Sequence, residues 1–171
     1  MSRTALIVKA PTSHDLVGLR QRFAADARTG VPPHITVLFP FVPASQLDEA
    51  ATTALRRAVC SVRRFDFALT DTGWFGGEIL WLAPGDASPF VRLTAAVHRA
   101  FPAYPPYGGL HDGSEPHATV GDTATHAELI GAEREVRAVL PLHGRADAVT
   151  LLVEGANGVW RESAEIPLGH E

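Results

Sequence analysis

The chain has 171 residues, 46% hydrophobic and 20% charged, with a net charge of −4. Such a length fits one domain, or two tightly joined lobes, with a sizeable buried core. The negative balance argues against broad, sequence-independent binding of long nucleic acid, which needs a basic surface, and leaves open a small anion in a local cationic pocket.

In chain order, residues Thr4 to Ala10 read as a buried first strand. Ser13 is positioned to cap a helix running to about Ala27, with Leu16, Leu19 or Arg20, and Phe23 along one face. Thr29-Gly30 closes it, a strand follows through Phe39, and Pro40 and Pro43 punctuate the exit. Ser45 and Asp48 resemble a capping box for a helix whose Leu47, Ala51, Leu55 and Val59 recur every four residues. Phe65 to Leu69 alternates like a half-buried strand, and Glu78 to Leu82 makes another after the Gly76-Gly77 turn. Ser88-Pro89 opens a helix with Phe90, Leu93, Val97 and Phe101 on its apolar face. A Pro/Gly/Tyr-rich loop, 102–115, leads to a further strand at 116–120. Thr125 and Glu128 form a second capping-box candidate before Leu129, Ala132, Val136 and Val139. Strands over 146–153 and 159–166 are joined around Asn157-Gly158, a strong hairpin signal.

The order strand, helix, strand, helix, strand therefore occurs twice in a single domain, over about 3–71 and 79–153, with the last strand completing the second copy to 166. The central strand of each copy carries nearly the same motif: Pro33-His34-Ile35-Thr36-Val37 and Pro116-His117-Ala118-Thr119-Val120. Side chains two apart on a strand share a face, so each motif presents an imidazole and a hydroxyl together, while the intervening apolar residues turn toward a core. Two such strands side by side give two imidazoles and two hydroxyls in one cleft, which is equipment for moving protons around a phosphate without a metal.

Two Pro-His-x-Thr-hydrophobic motifs at this separation resemble those of the 2H phosphoesterase superfamily. The 2′-5′ RNA ligase or RNA 2′,3′-cyclic phosphodiesterase-like branch is the most similar. The flanking Leu38-Phe39-Pro40-Phe41 and the stretch 101–109 share in the likeness, which extends over essentially the whole chain. The resemblance implies an α+β, bilobal, pseudo-twofold fold with two antiparallel sheets lining a central cleft and helices outside. It implies no metal and no cofactor. It makes His34 and His117 the acid–base pair and Thr36 and Thr119 the phosphate contacts, without deciding which imidazole is the base.

The activity so implied is hydrolysis of 2′,3′-cyclic phosphates, on nucleotides or RNA ends, to 2′-phosphates. Alternatives are a 2′-5′ linkage, a cyclic oligonucleotide or a cyclic ADP-ribose phosphate as substrate, or a non-catalytic nucleotide-binding module. Against the last, binding alone needs no acid–base pair. The expected partner is a small nucleotide or RNA end, with no extended nucleic-acid surface. Tyr107, Phe39 and Trp74 are candidates for stacking on a base, and core packing competes for Phe39. Arg3, Arg28 and Arg161 are the arginines considered for reaching the cleft, with surface solvation as the plain alternative. His111-Asp112, just before the second motif, is a further candidate for touching substrate. Cys60, the single cysteine, excludes an internal disulfide and a multi-cysteine zinc site. The short apolar N-terminal run fits neither a signal peptide nor a membrane span, so a cytoplasmic protein is expected, and with no amphipathic stripe left over the default expectation is a monomer.

Overall fold

The computed structural model describes residues 1–110 and 115–170. Eight strands and four α-helices follow in the order β1 (Thr4–Lys9), α1 (His14–Phe23), β2 (His34–Leu38), α2 (Glu49–Cys60), β3 (Phe65–Phe75), β4 (Ile79–Pro84), α3 (Ser88–Ala100), β5 (Ala118–Gly121), α4 (His126–Arg137), β6 (Leu142–Ala146), β7 (Ala148–Glu154) and β8 (Trp160–Pro167). The strands form two four-stranded antiparallel sheets, ordered β2-β1-β7-β8 and β5-β4-β3-β6. The expected α+β fold with duplicated halves is the one found, and each His-x-Thr motif opens onto the edge strand of its own sheet. Among the described residues no helix is long and apolar enough to cross a membrane.

The two halves interlock. β3 comes from the first half of the chain but pairs with β4 and β6 of the second sheet, while the β7–β8 hairpin joins β1 in the first. The helices cross over too: α1 packs against β5, and α3 packs against β2. Thr94 on α3 donates its hydroxyl to the Val37 carbonyl of β2 at 2.8 Å. One apolar core runs through both sheets, from Leu6 and Ile35 to Leu80, Leu82 and Val120, and takes in helix residues such as Leu16, Leu55, Leu93 and Leu129. At about 1.5–3 kcal/mol for each fully buried large aliphatic chain, this shared core couples the lobes into one unit.

Local differences from the sequence reading have local causes. α1 stops at Phe23 rather than near Ala27 because the Phe23 carbonyl accepts from the backbone of Asp122 and Thr123 and from the Thr123 hydroxyl. The chain then makes a 3₁₀ turn, Asp26–Thr29, that ends on Gly30 at φ 94°. A Cβ there would come within 2.9 Å of the Trp160 carbonyl, so glycine is needed both for the turn and for the close approach. The second helix is capped by Asp48 itself, which accepts from Ala51 N at 2.8 Å, so the Ser45 capping box does not form. The Thr125–Glu128 capping box does form, with both reciprocal bonds present. β3 runs six residues beyond Leu69, and β6 is an addition to the expected strands, its Leu142-His143-Gly144-Arg145 run alternating in burial but offering only one large apolar side chain.

Gly121 closes β5 where α1 and α4 meet it: a Cβ would lie 2.8 Å from the Phe23 Cβ and 2.7 Å from a Leu129 methyl. Gly121→Ala is therefore expected to cost about 1–3 kcal/mol through overpacking. A fall in the urea midpoint without a change in slope is the result that checks it.

Candidate functional site

The two edge strands approach one another across a cleft, and the cavity between them, about 500 Å³, is lined by His34, Thr36, His117 and Thr119 together. Each strand shows the alternation that this requires. In β2 His34 and Thr36 are half-buried while Ile35 and Val37 are buried, and in β5 Ala118 and Val120 are buried while Thr119 is half-buried.

The two histidines are held alike. The Nδ1 of His34 lies 2.8 Å from the Pro32 carbonyl, and the Nδ1 of His117 lies 2.6 Å from the Glu115 carbonyl. A carbonyl only accepts, so Nδ1 carries the proton on both rings and each Nε2 is left with a free lone pair in the neutral state. Both rings hang from the carbonyl of the residue two before them, just outside the strand.

Their surroundings differ. Beneath β2 lies Arg20, 1% exposed, which donates to the Thr119 carbonyl, to the Asp26 carboxylate at 2.7 Å and to the Val31 carbonyl at 3.3 Å. Burial pulls His34 down from 6.5 to about 4; Arg20 adds to that fall, while Asp26 and the Pro32 carbonyl oppose it. His117 is lowered as well, chiefly by burial, with the Glu115 carbonyl and carboxylate pulling the other way. It is flanked by aromatic rings, Phe75 edge-on at 4.9 Å and Trp81 at 5.8 Å. Both imidazoles are therefore neutral near pH 7 in the free protein.

Of the other residues singled out from the sequence, Tyr107 and Phe39 line the cavity. Tyr107 adopts a left-handed backbone, φ 52°, that a bulky side chain rarely takes. Its N–H donates to the Phe39 carbonyl at 2.7 Å, its phenol is hydrogen-bonded to the Thr36 side chain, and burial raises the phenol above its usual range. Trp74 is a correction. Its ring faces α4, donating Nε1–H to Glu133 at 3.2 Å and lying 5.2 Å from the His126 ring, and it does not line the cavity. Of the three arginines, Arg3 reaches the cavity, Arg28 turns back to the Arg22 carbonyl, and Arg161 lies elsewhere on the surface. His111 and Asp112 lie outside the described residues.

Arg20, Asp26, Glu154 and Trp160 do not stand out in the sequence as site residues. Arg20 leaves a trace there, a basic residue four after Leu16 on the apolar face of a helix. Glu154 and Trp160 leave none, because they enter the site through the pairing of β7 with β8. Among the described residues no three His, Cys, Asp or Glu side chains converge as a metal-binding group.

A two-lobed α+β fold that brings paired His-x-Thr strands to one cleft defines the 2H phosphoesterase class. The chain belongs to the 2′-5′ RNA ligase superfamily, whose family model matches residues 9–158. Among solved structures, it is similar to TT0787 of Thermus thermophilus, at 18% identity and TM-score 0.66 over 99% of both chains. It is also similar to E. coli LigT complexed with 3′-AMP, at 17% identity and TM-score 0.53 over 98% of both chains. A structure described only as a phosphoesterase matches at 17% identity and TM-score 0.54 over 99% of both chains. No curated protein gives a significant match.

The low basicity of His34 has a consequence for stability. Above pH 6.5 it is neutral both folded and unfolded. Between pH 6.5 and 4 the unfolded chain binds a proton that the folded site refuses, so stability is lost as pH falls through that window, by roughly 3 kcal/mol at its lower end. His34→Gln, which has nothing to titrate there, should show a shallower loss in urea unfolding between pH 7 and 4.5. Equal slopes for the two proteins would contradict a neutral, desolvated His34.

Proposed function

We propose that the protein is a phosphodiesterase that opens 2′,3′-cyclic phosphates, on nucleotides or RNA ends, to 2′-phosphates. The observation that carries this reading is the pair of free Nε2 atoms, on two histidines anchored alike through Nδ1 and facing one cavity with a threonine hydroxyl beside each. Displacement at phosphorus needs a base on one side and an acid on the other, with the non-bridging oxygens held between them. One neutral imidazole takes a proton from water at Nε2 as the water oxygen bonds to phosphorus. The other, protonated, delivers its Nε2 proton to the ribose O3′ as the phosphorus–O3′ bond breaks, leaving the 2′-phosphate monoester. Thr36 and Thr119 donate to the phosphate oxygens, and the Tyr107 phenol, kept neutral by burial, orients the Thr36 hydroxyl.

An acid–base pair requires one ring charged and one neutral, yet both are depressed in the free protein. A bound phosphodiester brings a negative charge beside both rings and raises their affinity for protons. The substrate thus charges its own acid.

A second reading, cleavage of a 2′-5′ linkage, is favoured by one observation. Phe75 is exposed, lies 4.9 Å from His117, and is not part of the cavity wall, so it offers a surface to a second nucleoside beyond the histidine pair. Product analysis separates the two readings. With the four nucleoside 2′,3′-cyclic phosphates in EDTA, a 2′-phosphate product is expected. A 3′-phosphate product, or turnover only of 2′-5′-linked dinucleotides, overturns the first reading. No turnover of either class, from folded protein, leaves a binding module.

His34→Ala and His117→Ala are each expected to lower kcat by at least ~10²-fold, the lower end of general acid–base contributions. An active double variant rules the mechanism out. The pH dependence has a sign as well. The kcat/KM profile, which reports the free enzyme, should be a bell centred below pH 6.5, because both histidines are depressed there. The kcat profile, which reports the complex, should be displaced to higher pH. Coincident profiles would show that substrate does not charge the acid.

A further inference from the structure

The cavity extends well beyond the motif residues, along the first sheet and the segment 25–31 that precedes β2. Ile7 of β1 pairs with Thr36, and Arg3, Ala5 and Ile7, spaced by two, all line the cavity. Ala5, Ile7, Val31 and Leu152 form a small apolar cluster of their own, with Phe39 and Trp160 packed against it. This is a flat, apolar floor lying on a sheet face between a phosphate-sized polar end and a second polar end.

Arg3 and Glu154 form that second end. Arg3 spends one edge of its guanidinium on the carboxylate, Nε to Oε2 and Nη2 to Oε1, both at 2.7 Å. Its carbon lies 5.8 Å from the Phe39 ring centroid and 5.7 Å from that of Trp160, which itself sits 6.0 Å from Phe39. The opposite edge, Nη1 with the second hydrogen of Nη2, has no hydrogen-bond partner among the described residues. Glu154 therefore acts as a splint that fixes the fork and leaves two parallel donors on offer. Arg3 stands four strand residues from Ile7, about 13 Å along the sheet at the usual rise per residue. That is comparable to the reach of one nucleotide from its phosphate to the far edge of its base.

We propose that the Arg3–Glu154 end of the cleft is a base-recognition subsite selective for guanine. This deepens the cyclic phosphodiesterase reading and rests on it for the position of the phosphate. Guanine presents two adjacent acceptors, O6 and N7, that match a guanidinium edge; adenine places its N6 amino donor where O6 would be, so donor meets donor. Cytosine and uracil lack the paired acceptors on that edge and fall short of Arg3. The apolar floor and the Phe39 and Trp160 rings hold the base in plane with the fork.

The test compares kcat/KM for the four nucleoside 2′,3′-cyclic phosphates, together with calorimetric binding of guanosine and adenosine 2′-phosphates. The wild-type protein is expected to favour guanosine over adenosine by about five- to tenfold in both, the lower end of bidentate discrimination for a half-exposed arginine. Arg3→Gln removes the fork and Arg3→Lys keeps only the charge, and both should bring the ratio near one, with circular dichroism confirming the fold. A wild-type ratio near one, or a preference that survives Arg3→Lys, overturns the guanine subsite. If no cyclic phosphate turns over, the activity reading fails, yet tighter binding of guanosine 2′-phosphate still supports the subsite. Equal binding of the two products overturns it independently.

Discussion

A single buried guanidinium ties the two sides of the cleft together. Arg20 belongs to the first half of the chain, yet its strongest neighbours come from both halves: the Thr119 carbonyl of β5, the Asp26 carboxylate and the Val31 carbonyl. Its Nε has no partner among the described residues, so the group sits in a partly compensated, desolvated state. Removing one member of such a pair leaves an uncompensated buried charge, which costs about 3–5 kcal/mol. Its bond to the Thr119 carbonyl links the second motif strand to the helix and turn that precede the first. Arg20 thus adds a polar link between the two motif strands to the apolar core that the lobes already share.

The same residue breaks the symmetry of the site. The histidines share a tautomer and an anchoring geometry, but only His34 lies next to a buried cation, and only His117 is ringed by aromatic side chains. Duplication supplies two equal groups, and their neighbours make them unequal. Two imidazoles of equal affinity would share protons at random, whereas a pair whose affinities are pushed apart favours one charged form over the other.

What can be read in advance follows from local periodicity. The His-x-Thr strands, their buried alternates and the helix faces depend on spacings of two and of three to four residues, which the chain displays directly. What cannot be read comes from pairing between distant segments. Trp160 and Glu154 reach the cavity because β8 lies beside β7 and β7 beside β1, and nothing near residue 160 announces that neighbourhood. Trp74 shows the sharper failure. Along β3 neighbouring side chains take opposite faces, so Trp74 packs toward Glu133 on α4 while Phe75, one residue on, stands against His117. An aromatic pair on a strand is visible in the sequence; which of the two stands on the side of His117 is a question of parity, and a shift of one residue reverses the answer.

The cavity's lopsidedness bears on what the fold can recognise. Its floor is built from β1 and β7 of the first sheet, whereas the second sheet contributes little beyond Thr119 and the adjoining His117 and Asp122. At the level of the motif threonines, Thr36 pairs with Ile7, and Ile7 with Thr150. Across the other sheet the corresponding row is Thr119, Trp81 and Gly73. A Cβ on Gly73 would collide with the Trp81 ring, so the glycine is what allows that indole to lie flat across the sheet. An isoleucine leaves room above its strand, and a tryptophan laid across a glycine fills the same space. The duplicated scaffold thus keeps both sets of motif groups, while the cavity spreads over the first sheet and the space above the second is taken by Trp81.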